Sequence, residues 1–218
     1  MQTMILGAEE LEKQRSSKRM LLWFGIISIV MLFAGLTSAY IVRQGEGKWV
    51  EFAMPDLFKL STALIILSSF SMQWALVSIK KGNRKMLIIA AGVTALLGLG
   101  FVISQYYSWA SLVDQGIYFA GRIRDIKTDF KYVPTIKRET VEAAGDAGNV
   151  AGSFLYAITA LHVLHLLGGM IAIILVFSRA LLGKYSASNY NGVTVCAIYW
   201  HFLDGLWIYL YLFLLYIR

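Results

Sequence analysis

Charged side chains are absent from four long apolar stretches, 20–42, 60–79, 86–113 and 147–178, and a fifth, 185–217, is interrupted only by Asp204. A helix needs about 20 residues to cross the hydrocarbon of a bilayer, and a charge near its centre is costly. The pattern therefore predicts an all-α integral membrane protein, a bundle of five transmembrane helices over about 20–42, 60–79, 86–107, 154–178 and 193–217. Residues 1–19 read as a cytoplasmic N-terminal tail, 20–218 as a single transmembrane domain, and 108–152 as its outer loop. Pro55 and Pro134 both fall outside the spans, so each helix can keep the unbroken backbone ladder that hydrocarbon demands. Continuous apolar runs exclude a transmembrane barrel, whose strands would alternate apolar and polar residues. The first run is longer than the roughly 7–15 residues of a signal-peptide core and lacks a small-residue cleavage site, so it is read as retained.

Lysine and arginine in short loops set orientation. Lys13, Arg15, Lys18 and Arg19 precede the first helix; Lys80, Lys81, Arg84 and Lys85 join the second to the third; Arg179 and Lys184 join the fourth to the fifth. The opposite side has Arg43, Lys48, Lys59 and Arg218. The bias predicts a cytoplasmic N-terminus and a periplasmic C-terminus. Trp23 then sits near an inner end, and Tyr40, Tyr106, Tyr107, Trp109 and Tyr216 near outer ends, as interfacial aromatics prefer.

The outer loop 108–152 holds six basic and six acidic residues, so it is neutral overall. Ile123, Ile126 and Phe130 recur with helical spacing, and Tyr132 and Val133 follow before Pro134. That much apolar surface suits an interface with a neighbouring protein better than a solvated excursion.

Composition changes the picture in two ways. The net charge of +7 would suggest nucleic acid on a soluble chain, but here it follows from the basic inner loops and implies no nucleic-acid partner. Three His and one Cys are too few for a disulfide framework or a Cys-cluster metal site. The few polar groups within the spans are informative because of their cost. His162 and His165 lie on the fourth helix and His201 and Asp204 on the fifth, each pair spaced i, i+3 and hence on one helix face. By depth, His165 and Asp204 both reach the midplane. A haem clamp, a proton relay and a hydrogen-bonded polar lock between the two helices all use such residues. Bulky Trp200, Phe202 and Trp207 crowd the first, no carboxylate or lysine chain continues the second, and the lock remains the favoured reading. A small-solute transporter would want discontinuous helices or paired repeats, and neither is present. Gly35 with Ala39, and Gly168 with Ala172, read as ordinary close-packing surfaces.

The H-x-x-H followed by Gly168-Gly169 on the fourth helix, with Tyr199-Trp200-His201-Phe202-x-Asp204-x-x-Trp207 on the fifth, resembles subunit III of the haem–copper terminal oxidases, the cytochrome c oxidase family. Ser28 to Gly35 is similar to the family's third helix, so the likeness reaches all five spans but not the outer loop. The resemblance implies the five-helix bacterial form of a non-redox accessory subunit in the cytoplasmic (inner) membrane. Such a subunit packs on subunit I within a complex that includes subunit II and small helical subunits, with a respiratory supercomplex as a further setting. It binds phospholipid and supports proton uptake and stable turnover during oxygen reduction. It carries no cofactor itself, haem and copper belonging to subunits I and II; three His and one Cys could not ligate two haems and a copper in any case. The alternative is a cytochrome b-like electron carrier using His162 or His165 with His201 as axial ligands. Two departures from the family pattern stand out. Ile29 replaces a glutamate after Ser28, and Thr194 replaces a second glutamate five residues before Tyr199.

Deleting Arg122 to Asn149 is expected to leave five helices inserted, since each span carries its own hydrophobic signal, and to loosen association with an external partner. Copurification as tight as wild type, with the loop amides unprotected in hydrogen exchange, would argue for a solvated excursion.

Overall fold

The computed structural model describes residues 2–46, 49, 54–122 and 148–217, with side chains from residue 16 onward. Five helices account for nearly all of this: α1 (Gln2–Gln44), α2 (Leu57–Lys80), α3 (Arg84–Asp114), α4 (Val150–Leu181) and α5 (Asn191–Tyr216). Each contains a segment long and apolar enough to cross a membrane, and no strand occurs among the described residues. The protein is a multi-pass, all-helical membrane protein. Backbone helix begins at Gln2, so α1 continues without a break through the residues ahead of its apolar part, Ser16–Gln44.

Polar side chains cap the starts of two helices. Asn83 accepts the Met86 amide at 3.2 Å to start α3, and Asn149 accepts the Gly152 amide at 3.1 Å to start α4. Gly82 and Gly183, at φ of +75° and +74°, turn the chain after α2 and α4, a conformation that L side chains resist. The two turns are joined: the Arg84 guanidinium donates from Nε to the Ala180 carbonyl at 2.7 Å and from Nη2 to that of Leu181, satisfying the exposed end of α4. Beside them burial holds the Tyr185 phenol above its ordinary range, while its hydrogen bond to Arg179 acts in the opposite direction.

Helices α2, α3, α4 and α5 pack in a closed ring, each against two others, with the α2–α3 hairpin the most extensive contact. Helix α1 lies outside the ring against α4 and α5 alone, and most of its surface is exposed. The hairpin is close because α2 turns small hydroxyls toward α3. Ser61 donates to Ser104 at 2.9 Å, Ser104 to the Leu57 carbonyl at 3.1 Å, and Ser71 to the Ala90 carbonyl at 2.9 Å.

At the opposite end from the Arg84 turn, the chain leaving α3 folds back over the start of α4. Ile117 is fully buried, Tyr156 donates to the Ile117 carbonyl at 2.9 Å, Ser153 to that of Phe119 at 2.6 Å, and the Asn149 amide to that of Gly121 at 2.8 Å. Both ends of the long connection are thus fixed to α4. Ile123, Ile126, Phe130 and Tyr132, the expected interface residues, lie outside the described residues. Because Asn149 caps α4, a deletion that keeps this cap must stop short of it.

The close-packing glycines are not the ones that spacing suggested. A methyl group on Gly35 would meet nothing within 4 Å, and one on Gly168 only the Tyr199 hydroxyl at 3.9 Å. On Gly98 it would lie 2.6 Å from Met170 Sδ and 2.9 Å from the Trp200 ring, and on Gly169 3.0 Å from Leu203. A small-residue pair marks a face that can be approached, whereas the large side chain opposite decides whether it is. Gly98→Ala is therefore expected to destabilise the solubilised protein by about 1–3 kcal/mol through overpacking, while Gly35→Ala is neutral or slightly stabilising through helix propensity. Thermal unfolding in detergent compares the two directly.

Candidate functional site

Helix α5 carries a densely buried face. Trp200, Leu203, Asp204, Trp207 and Leu210 recur at three- and four-residue spacing, and both indoles are fully buried. A buried indole N–H in a bilayer needs a protein acceptor. Helix α2 supplies two: Trp200 donates to Ser68 Oγ and Trp207 to Thr62 Oγ1, each at 3.0 Å. These hydroxyls in turn donate backward along α2, Ser68 to the Ile65 carbonyl at 2.7 Å and Thr62 to that of Phe58 at 2.8 Å. His201 Nδ1 and Ser69 Oγ make a third tie at 2.7 Å. Three side chains of α5, Trp200, His201 and Trp207, are thus bonded to hydroxyls of α2.

The four polar residues expected to lock α4 to α5 occupy different surroundings. His162 is fully buried among aromatic rings, with centroids 5.1 Å from Trp207, 5.9 Å from Phe101 and 6.5 Å from Phe33, and neither ring nitrogen has a hydrogen-bond partner. His165 uses Nδ1 on the Leu161 carbonyl of its own helix at 2.7 Å, so that nitrogen carries the proton. Its ring meets Phe33 at 5.8 Å. His201 turns to α2. Asp204 is 3% exposed, with Oδ2 4.0 Å from His201 Nδ1 and Ser69 close by, yet neither carboxyl oxygen has a hydrogen-bond partner. No hydrogen bond joins Asp204 to His162 or His165. The one polar bond from α5 to α4 among the described residues runs from the Tyr199 hydroxyl to the His165 carbonyl, at 3.3 Å.

The remaining signature residue, Phe202, is half-buried against the core. Phe33 connects α1 to the site: it is 1% exposed and packs on both α4 histidines. Sequence reasoning missed the hydroxyls of α2 and this phenylalanine. Ser61, Thr62, Ser68 and Ser69, paired seven residues apart on a mostly apolar helix, were the available signal.

No group of three or more His, Cys, Asp or Glu among the described residues is placed to hold a metal ion. His162 and His201 face different neighbours, one an aromatic cage and the other Ser69. Cys196 is buried and unpaired in a disulfide sense. At the departures from the resembled pattern, Ile29 packs against the core and Thr194 bonds the Tyr190 carbonyl of its own helix at 3.4 Å.

The family model for cytochrome c oxidase subunit III matches residues 121–218, from the outer connection through α4 and α5. Among curated proteins, the chain is 30% identical over 194 residues to cytochrome c oxidase subunit 3 of Thermostichus vulcanus, covering 85% of this chain and 80% of that one. It is 29% identical over 195 residues to the probable cytochrome c oxidase subunit 3 of Mycobacterium leprae (strain TN), covering 88% and 83% respectively. Against the cytochrome c oxidase subunit 3 of Halichoerus grypus it is 27% identical over 200 residues, covering 85% of this chain but 64% of the longer relative.

Removing the hydroxyl acceptors is expected to loosen α5 from α2. Ser68→Ala and Thr62→Val each strand a buried indole N–H, costing about 1–3 kcal/mol apiece and nearly adding in combination. Ser69→Ala is expected to cost less, because the His201 side chain is 32% exposed. Denaturation of the three variants in one detergent ranks them.

Proposed function

The chain belongs to the cytochrome c oxidase subunit III family, and we propose that it acts as the non-redox accessory subunit of a respiratory haem–copper oxidase in a bacterial inner membrane. In this reading it packs on subunit I, the subunit that reduces oxygen, and sits with subunit II and small helical subunits in one complex. The N-terminal end and the Arg84 turn face the cytoplasm, where the basic residues concentrate. The outer connection faces the periplasm and meets a neighbouring subunit.

The observation that carries this reading is how the signature residues are used. Trp200, Trp207 and His201 hold α2, and His162 and His165 pack on Phe33 and aromatic neighbours. Side chains so engaged serve the shape of the bundle rather than an electron carrier. The exterior supports the rest: Leu67, Phe70 and Trp74 on α2, and Leu164 and Ile171 on α4, present large apolar side chains outward, suited to phospholipid acyl chains or to a partner's helices. The four polar residues His162, His165, His201 and Asp204 contribute by making the helix arrangement specific. Support of proton uptake is then indirect, through the position of the neighbouring catalytic subunit.

A tagged copy of the chain extracted in mild detergent is expected to copurify with haem- and copper-bearing polypeptides. The chain stripped from them is expected to show no haem band in its visible spectrum. Stoichiometric haem in the pure chain, lost on His162→Ala or His201→Ala, would instead establish the cytochrome b-like alternative.

A further inference from the structure

We propose that the centre of the bundle is an internal water site between α3 and α4, held by the side chains of Gln105 and His162. The two residues share an unusual condition. Both are 0% exposed, and none of their four polar side-chain atoms, Gln105 Oε1 and Nε2 and His162 Nδ1 and Nε2, has a hydrogen-bond partner.

The helix register brings them level. Helices α3 and α4 run antiparallel, with Gly98 against Met170 near one end and the Trp109 indole bonded to Thr159 Oγ1 at 3.1 Å near the other. That register sets Gln105 opposite Val163, next to His162. Phe101, Gln105 and Trp109 lie one turn apart on one face of α3. The rings of Phe101 and His162 are 5.9 Å apart, so the same face meets His162.

Neighbouring polar groups are already engaged. Thr159 accepts from Trp109 and donates to the Leu155 carbonyl at 2.7 Å, and the Trp207 indole is bonded to Thr62. Asp204 lies toward Ser69 and His201 on the α2 side. A carboxamide offers two donors and an acceptor, and a neutral imidazole one of each. Water, with two donors and two acceptors, complements both, and buried polar groups without protein partners are usually met in this way. The walls, Phe101, Trp207 and Phe33, bring no carboxylate against His162, so the site suits a small neutral ligand rather than a cation.

The proposal rests on the fold alone and is independent of the oxidase reading. The test uses the full-length, nitrogen-15-labelled chain in lipid bilayers. In solid-state NMR, magnetisation from water-frequency protons is expected to reach both the Gln105 side-chain amide and the His162 ring nitrogens. Gln105→Met and His162→Phe are each expected to lower the midpoint of thermal unfolding, and the double variant to lower it by less than the sum, since each single change strands the other partner. Absence of transfer from water at both residues overturns the proposal, as does a direct through-bond coupling between His162 and Gln105. Strictly additive midpoints from variants that fold overturn it too. The wild-type spectra decide the matter where a variant does not fold.

Discussion

A hydroxyl on a membrane-spanning helix can donate to the carbonyl one turn back and still accept a hydrogen bond from the next helix, and the arrangement of α2 and α5 depends on that double use. Ser68 and Thr62 each do both, so two large indoles lie at the bundle centre without an unsatisfied N–H. Within hydrocarbon, association gains little from the hydrophobic effect, because acyl chains solvate apolar side chains well. Close packing and satisfied polar groups must supply it. The indoles give both: the Trp200 ring fills the space that Gly98 and Gly169 leave open, and the two N–H groups fix the register of α5 on α2.

The position of α1 follows from the closure of the other four helices. With α2, α3, α4 and α5 each meeting two neighbours, no ring position remains, and α1 is held by a narrow strip. Phe33 inserts toward His162 and His165, Thr37 accepts the Tyr209 hydroxyl at 3.2 Å, and Tyr40 meets Trp49, Phe154 and Phe213. These contacts sit on one face of α1, and the opposite face shows Met20, Leu21, Trp23, Phe24, Ile27 and Met31 outward. In a bilayer such a face is covered by lipid or by another helix, which is why a helix so little buried within its own chain can still be fixed.

The five spans were legible because the absence of charge over twenty or more residues is a signal that no soluble element imitates. Their ends were not, since capping by Asn83 and Asn149 and the fold-back at Ile117 depend on contacts that hydropathy does not register. The buried histidines and Asp204 were equally visible, as rare polar residues in apolar runs. Their partners were hidden for a different reason. Spacing along one helix shows which residues share a face but not which helix that face meets, so the match of His201 with Ser69 on α2 could not be read from α4 and α5 alone. Serine and threonine are also common in membrane helices, and nothing in the sequence separates Ser68, an acceptor for an indole, from Ser28, whose hydroxyl returns to the Phe24 carbonyl of its own exposed turn.

The two departures at Ile29 and Thr194 bear on what a buried acid can do in this chain. Neither position has a carboxyl group, and the hydroxyls nearby, Ser28 and Thr194 itself, bond their own helices. Asp204 is the only acidic residue in any of the apolar stretches between residues 20 and 217. It lies beside His201 and Ser69 on the α2 side, whereas Ile29 is on α1. Any property of the bundle that depends on a carboxyl group in the membrane therefore rests on α5 and on the hydroxyls of α2. A substitution restoring a glutamate at Ile29 would place a second acid on the peripheral helix, separate from the polar ties that hold the ring.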